Sequence, residues 1–393
     1  MRKLDNYKVI FWLKILKNAL TTFVESFFVL YFLTLSDNNI LPLGIYKLVF
    51  ASTMFITFFL LRNICKTKYR INLLRIGIFL DLIYFLTIIL LKENIVNYIY
   101  IVGILYGLNE GFYYSIYNIF ESDGVSNKRR TKFAGNYTTF KAAFTIMFSI
   151  IYGSLIAKIG FLKSILVVIS IVVIRIALSF AYKDTNIPTN KKTDLKKYIS
   201  KIKNEKIIKQ VYNIYFFSGL TYSKGAFQSI VTIYIIKVFS DSFSLGIFTS
   251  IFSLISFIIG LLFAKKINKK NYSNIIKVAM TITIISLCIM ILKCNMITII
   301  LFNFFQTFSK ELVDLINNNS LANVSNLKLI KDEYKTEYYL GFEFSLFLGR
   351  IISQSIFILM AFTGVVYIIP LFVIFSIMLM INSIKLQTYV NKQ

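Results

Sequence analysis

The chain has no histidine, three cysteines, and 18 acidic residues against 44 Lys and Arg in 393 positions. Without His there is neither a His-ligated metal site nor a His general base. Cys65, Cys288 and Cys294 are too few and too scattered for a disulfide framework or a thiolate metal site, so no cofactor is implied. No Walker-type phosphate loop occurs, which argues against ATP as the energy source. The basic N-terminus leads into an apolar run too long for a signal peptide and without a small-residue cleavage site, and reads as a retained first helix. Polar stretches are scarce: the only long one is Tyr182 to Lys206.

What fills the chain instead is apolar. Hydrophobic residues make up 57% of it and the mean hydropathy is +0.69, above the soluble norm. Twelve stretches, at about 9–35, 40–61, 71–91, 95–120, 133–157, 160–181, 207–236, 243–263, 275–292, 295–319, 338–362 and 364–384, each approach or exceed the roughly 20 residues that carry a helix across about 30 Å of hydrocarbon. Inside lipid only helices of this kind satisfy their own backbone. The alternate segments 1–8, 62–70, 121–132, 182–206, 264–274, 320–337 and 385–393 hold 28 Lys and Arg, and the segments between them hold few. Positive residues stay cytoplasmic, so this alternation predicts a twelve-span, all-α membrane protein with both termini inside. The net charge of +26 sits in those short loops without the aromatic and basic interleaving of a nucleic-acid groove, so nucleic acid is not expected as a partner.

The long polar segment divides the chain into residues 1–181, a linker at 182–206, and 207–393. Within the linker, Leu195, Tyr198, Ile199 and Ile202 recur at helical spacing beneath lysines, a pattern that fits either a basic amphipathic helix on the inner leaflet or a solvated connection. The two long parts echo one another in order. Glu25-Ser26 to Tyr31 matches Gln228-Ser229 to Tyr234, and Ile64, Lys66 and Tyr69 match Ile267, Lys269 and Tyr272, both at an offset of 203. Val125-Ser126-Asn127 returns as Val324-Ser325-Asn326 at 199, and Gly135 and Ser149 as Gly341 and Ser355 at 206. Four weak matches in one order point to a duplicated six-helix unit.

Twelve spans, a 6+6 duplication, a cytoplasmic central linker and a basic loop after span 2 resemble the major facilitator superfamily over the whole chain. The loop after span 2, Leu60 to Arg70, keeps the basic part of that family's motif, so Arg62, Lys66, Lys68 and Arg70 stand as a cytoplasmic gate loop. Span 4 lacks the family's embedded Arg, and span 5 its Gly-Pro signature. The resemblance implies two six-helix bundles and a central cavity lined by spans 1, 4, 7 and 10.

A charge at the centre of a span costs about 2.5 to 3.5 kcal/mol on insertion scales and so marks a partner, water or a function. Lys14, Asn18, Thr21 and Glu25 share one face of span 1, and Thr221, Lys224 and Gln228 repeat that stripe on span 7, forming either a wet cavity wall or a Glu25–Lys224 ion pair. Glu110 on span 4 is followed by Tyr113, Tyr114 and Tyr117, and Gly103, Gly107 and Gly111 on the same helix suit a close seam. Span 10 carries Asn303, Thr307, Lys310, Glu311, Asp314 and Asn317, with Lys310 and Asp314 spaced to pair on their own helix. Glu343 and Arg350 share a face of span 11, beside a small-residue ridge at Gly341, Ser345 and Gly349 that span 5 repeats as Gly135, Thr139 and Ala143. Under the resemblance, these ridges let the halves rock, and Lys141 and Arg350 face the cavity. Asp81 reads as structural, and Arg75, Arg175, Lys158 and Lys163 as snorkelling groups near span ends.

These residues point to a small-molecule transporter of a bacterial plasma membrane, acting as a monomer in the bilayer. The expected substrate or proton site is Glu25, Glu110, Tyr113, Tyr114, Lys224, Gln228, Lys310, Glu311, Asp314 and Arg350. The reading is proton-coupled export of an amphiphilic molecule. Uptake of a polar nutrient (sugar, amino acid or short peptide) is the alternative in the same class. A polytopic enzyme or assembly factor for lipid-linked glycans is the alternative in another class; it calls for large charged extracellular loops, and these are tiny.

Overall fold

The computed structural model describes residues 6–125, 127–184, 192–221, 223, 225–239, 241–266, 271–293, 295–331, 333–363 and 369–390. They are almost entirely helical, with no strand among them. In chain order the helices are α1 (Asn6–Thr22), α2 (Val29–Leu35), α3 (Leu41–Leu61), α4 (Arg70–Leu91), α5 (Ile99–Gly124), α6 (Asn127–Ile159), α7 (Phe161–Phe180), α8 (Leu195–Ile202), α9 (Lys206–Leu220), α10 (Ala226–Val238), α11 (Ser242–Lys266), α12 (Tyr272–Leu292), α13 (Met296–Val324), α14 (Lys328–Lys331), α15 (Lys335–Thr363) and α16 (Ile369–Val390). Among the described residues, ten helical stretches are long and apolar enough to cross a membrane. Their outward faces carry large apolar side chains such as Leu60, Leu90 and Leu292, as expected of a lipid-facing surface. The protein is a multi-pass membrane protein.

Local chemistry explains the boundaries. Pro42 opens α3, where a missing N–H costs nothing. Asp37 and Asn38 take left-handed backbone angles in the turn before it, a conformation that short polar side chains tolerate. Asn295 and Thr298 close a reciprocal capping box at the start of α13. The repeated Val-Ser-Asn motifs fall at equivalent places, with Val125 just past the end of α5 and Val324 ending α13.

Two predicted spans are not continuous α-helix. A π turn at Phe23–Phe28 joins α1 to α2 and holds Glu25, a distortion that recurs at functional sites. Span 7 breaks between Leu220 and Ala226. There the Ser223 N–H turns back to the Ser218 carbonyl at 2.8 Å, and Arg350 of α15 donates to the Ser223 carbonyl at 2.9 Å. A bent segment in lipid persists where neighbouring groups take up the freed backbone bonds in this way.

Helices α1 and α3–α7 pack on one another, as do α9, α11–α13, α15 and α16, and the longest seams between these sets are α6 against α11 and α3 against α15. Small residues set the closest approaches. A Cβ on Gly153 of α6 would lie 2.6 Å from the Ser242 carbonyl of α11, and one on Gly107 of α5 would lie 2.7 Å from the Thr53 Cβ of α3. The ridge on α15 departs from expectation. Gly341 and Gly349 face Tyr212, Phe216 and Gly219 of α9, within their own set. Across the other seam α15 instead meets α3 through aromatic rings, Phe55 stacked on Phe347 at 4.6 Å, because the broken span 7 needs the close approach that glycine permits.

The linker helix also differs from a helix lying on a leaflet. Asp194 caps α8 by accepting from the Lys197 N–H. Tyr198 and Ile202 turn into the protein, with the Tyr198 hydroxyl 2.6 Å from that of Tyr212. Only Ile199 of the predicted stripe stays well exposed, so most of the apolar face is spent on protein contacts.

Candidate functional site

A cavity of about 660 Å³ lies among α1, α5, α6, α9, α10, α11, α13 and α15, within the size range of small-molecule sites. The predicted polar stripe of span 1 opens on it: Lys14, Asn18 and Thr21 of α1 and Glu25 of the π turn all line the wall. The Lys14 ammonium lies 2.6 Å from Glu121 and 4.4 Å from the centre of the Tyr137 ring. Glu25, carried by the π turn, pairs with Lys47 of α3 at 2.5 Å, and its side chain keeps 25% exposure against 5% for Lys47. Its sequence-predicted alternative partner, Lys224, lies outside the described residues; of Gln228 only the backbone is described, in α10.

Glu110 also touches the cavity wall, but most of it belongs to a buried cluster. Lys17 of α1 reaches Glu110 at 2.8 Å, Asp81 of α4 at 3.0 Å and the Asn109 side-chain oxygen at 2.7 Å. Arg175 of α7 pairs with Asp81 from the other side and lies over the Tyr113 ring. Two cations and two carboxylates thus neutralise each other where all four are almost fully buried, as buried charges require. Two expectations are corrected here. Arg175 does not snorkel to a surface: it lies more than a turn inside α7 and satisfies Asp81 in the interior. Tyr113 is absent from the cavity wall, its ring stacked on Tyr117 and packed beneath Arg175; Tyr114, the next residue round the helix, lines the wall instead.

From α13, Lys310, Glu311 and Asp314 all line the cavity. Glu311 bonds Lys141 of α6 at 2.7 Å, an ion pair that crosses from one helix set to the other. The Lys310–Asp314 pair expected from their spacing does not form: Asp314 makes no ion pair or hydrogen bond among the described residues. A base placed N-terminal to an acid is the weaker order on a helix, and the aspartate side chain is short. Arg350 lines the wall while bonding Ser223, with Glu343 at 3.9 Å and the Met54 sulfur at 3.5 Å.

At the end of the helices rich in Lys and Arg, contacts tie the two sets together. Lys66 pairs with Glu337 at 2.5 Å and donates to the Glu333 carbonyl at 3.0 Å. Lys335 pairs with Asp123 at 2.5 Å, and the Ser122 and Ser325 hydroxyls lie 3.0 Å apart. The linker adds the Asp194 N–H to Glu337 at 3.1 Å. Of the predicted gate loop, Lys66 makes this crossing between the sets. Arg70 holds Asp184 through two bonds of 2.6 and 2.7 Å. Arg62 turns back on the Phe59 carbonyl and ring, and Lys68 sits over its neighbour Tyr69. Sequence reasoning left out Lys17, Lys47, Asp123, Lys335 and Glu337; lysines at hydrocarbon depth in spans 1 and 2 were the available signal for the first two.

No protein-family model matches the chain. A curated relative, the uncharacterized protein YqgE of Bacillus subtilis (strain 168), is 21% identical over 340 residues, 86% of this chain and 78% of that protein. Among solved structures, the human organic anion transporter MFSD10 (TETRAN) superposes with a TM-score of 0.69 at 11% identity, over 98% of this chain and all of that one. A bacterial homologue of the iron transporter ferroportin, in an outward-facing state, gives 0.69 at 12% identity over 99% of this chain and all of that one. The chain shares its fold with these solved transporters.

Proposed function

We propose that the chain is a secondary active transporter of twelve spans with both termini in the cytoplasm. Two six-helix bundles, 1–181 and 207–393, rock about the cavity and are joined by the linker at 182–206. The broken α9–α10 segment counts as one of the twelve spans, and α5 as another. The observation that carries this reading is a charged cavity between two helix sets whose Lys- and Arg-rich, hence cytoplasmic, ends are held together by ion pairs. Such pairs are closed in one conformer and broken in the other, which is what alternating access needs. The likeness to an outward-facing structure supports taking this as the conformer sealed toward the cytoplasm.

In this reading transport exchanges a proton for an amphiphilic small molecule moving outward across a bacterial plasma membrane, and the protein is not an enzyme. Among the cavity carboxylates Glu25 is well placed to carry the proton, being open to the cavity on one side and tied to Lys47 on the other. Protonation removes the charge that holds Lys47 and lets the π turn shift. Glu110 is almost fully buried and held by Lys17 within its four-charge cluster, and is assigned to holding the bundle. Glu25→Gln should abolish movement driven by a proton gradient while leaving expression intact. Proton-driven movement at the wild-type rate in that variant would remove the coupling assignment. Comparing metabolites inside and outside cells with and without the protein reports substrate and direction together.

A further inference from the structure

Six carboxylates line the cavity: Glu25, Glu110, Glu121, Glu311, Asp314 and Glu343. Five of them have a Lys or Arg nitrogen within 4 Å, from Lys47, Lys17, Lys14, Lys141 and Arg350 respectively. Asp314 alone has neither an ion pair nor a hydrogen bond among the described residues. A carboxylate kept in a partly enclosed space without a bonded partner is disfavoured as an anion, and is relieved either by taking a proton or by an entering group that supplies the opposite charge.

The surroundings say what that something is. One turn further along α13, the Asn318 side-chain oxygen takes the hydroxyl of Tyr215 of α9 at 2.8 Å. This bond commits the hydroxyl and leaves the ring of Tyr215 on the cavity wall. Phe342 of α15 meets that ring edge-on at 4.2 Å, and Tyr339 follows one turn away. A lone carboxylate beside a wall of aromatic rings is the recognition pattern for an organic cation: the carboxylate meets the charge, and the rings accept the apolar body and any exposed cationic face. The charged groups nearest along α13 are Lys310 and Glu311, the latter held by Lys141. With one ammonium a turn away, the site favours a singly charged, bulky cation over a compact dication.

We infer that Asp314, with the rings of Tyr215, Phe342 and Tyr339, forms a subsite for the cationic head of a lipophilic organic cation. This rests on the transporter reading and names its substrate class. The test uses the purified full-length protein in nanodiscs, with tetraphenylphosphonium as the cationic probe and carboxyfluorescein as the anionic one. Wild type and a Glu93→Gln surface control should bind tetraphenylphosphonium alike. Asp314→Asn should bind it about ten- to a hundredfold more weakly, the range expected for losing one charge-assisted contact, with an unshifted melting temperature confirming the fold, and Asp314→Glu should recover most of the affinity. Equal binding by Asp314→Asn, or binding of the anion and not the cation, overturns the inference. Either result leaves the transporter reading standing, because that reading stands or falls separately, on whether the cavity can be labelled from both sides of the membrane.

Discussion

In the proposed transport cycle, removing the Lys66 ammonium is the sharpest perturbation of the tie at the Lys- and Arg-rich end. The Glu337 side chain is fully buried and lies 2.5 Å from the Lys66 nitrogen. In Lys66→Ala only the Asp194 N–H, at 3.1 Å, remains on that carboxylate. Breaking a buried pair from one side costs about 3 to 5 kcal/mol, because the surviving charge is left without compensation. In the proposed cycle the cost falls on the sealed conformer, because parting the helix sets would hydrate Glu337. Taking the lower figure, the balance shifts toward the cytoplasm-open conformer by about 150-fold. Glu337→Gln should do less, because Lys66 can extend toward water. The assay is maleimide labelling of a cysteine placed at Ala322, on the cavity wall near this end, in a background without other cysteines and from the cytoplasmic face of vesicles. Labelling should speed up by one to two orders of magnitude in Lys66→Ala and return toward wild type in the swapped pair Lys66→Glu with Glu337→Lys. An unchanged rate in a well-folded Lys66→Ala protein would refute the assignment of this pair as a conformational tie.

Two further outcomes follow from the packing. Asp81→Asn leaves Lys17 with Glu110 and takes from Arg175 its carboxylate in the interior, so detergent stability should fall by about 3 to 5 kcal/mol and recover in part when Arg175→Met is added; additive losses in the double variant would show that the cluster is not one unit. Burial pushes the Cys65 thiol up to about 12, so almost none is thiolate at neutral pH. Mass spectrometry after N-ethylmaleimide treatment should find buried Cys65 unmodified in the folded protein and modified after denaturation, and modification of the folded protein would contradict the burial.

Much of the architecture could be read from hydropathy, because a helical span is apolar over most of its length and bonds its own backbone inside lipid. The stripe Lys14, Asn18, Thr21 and Glu25 likewise announced a wet wall through its spacing, and all four residues line the cavity. Three things were hidden. The break in span 7 comes from Arg350 and the close glycine contacts of α15, which lie more than a hundred residues away. The Lys17, Asp81, Glu110 and Arg175 cluster draws one charge from each of four helices, and helical periodicity reports a face without naming what meets it. Tyr113 and Tyr114 are adjacent in sequence, yet helical rotation sends one into the core beneath Arg175 and the other to the cavity.

The central claim is that these helices enclose one wet chamber reached in turn from either side. A single cysteine at Thr307, on the cavity wall, tests it most directly in oriented vesicles with a membrane-impermeant maleimide. The account predicts labelling from both faces, with Lys66→Ala raising the cytoplasmic rate and lowering the opposite one. Labelling from neither face, or from one face alone whatever the state of the Lys66–Glu337 pair, would contradict it.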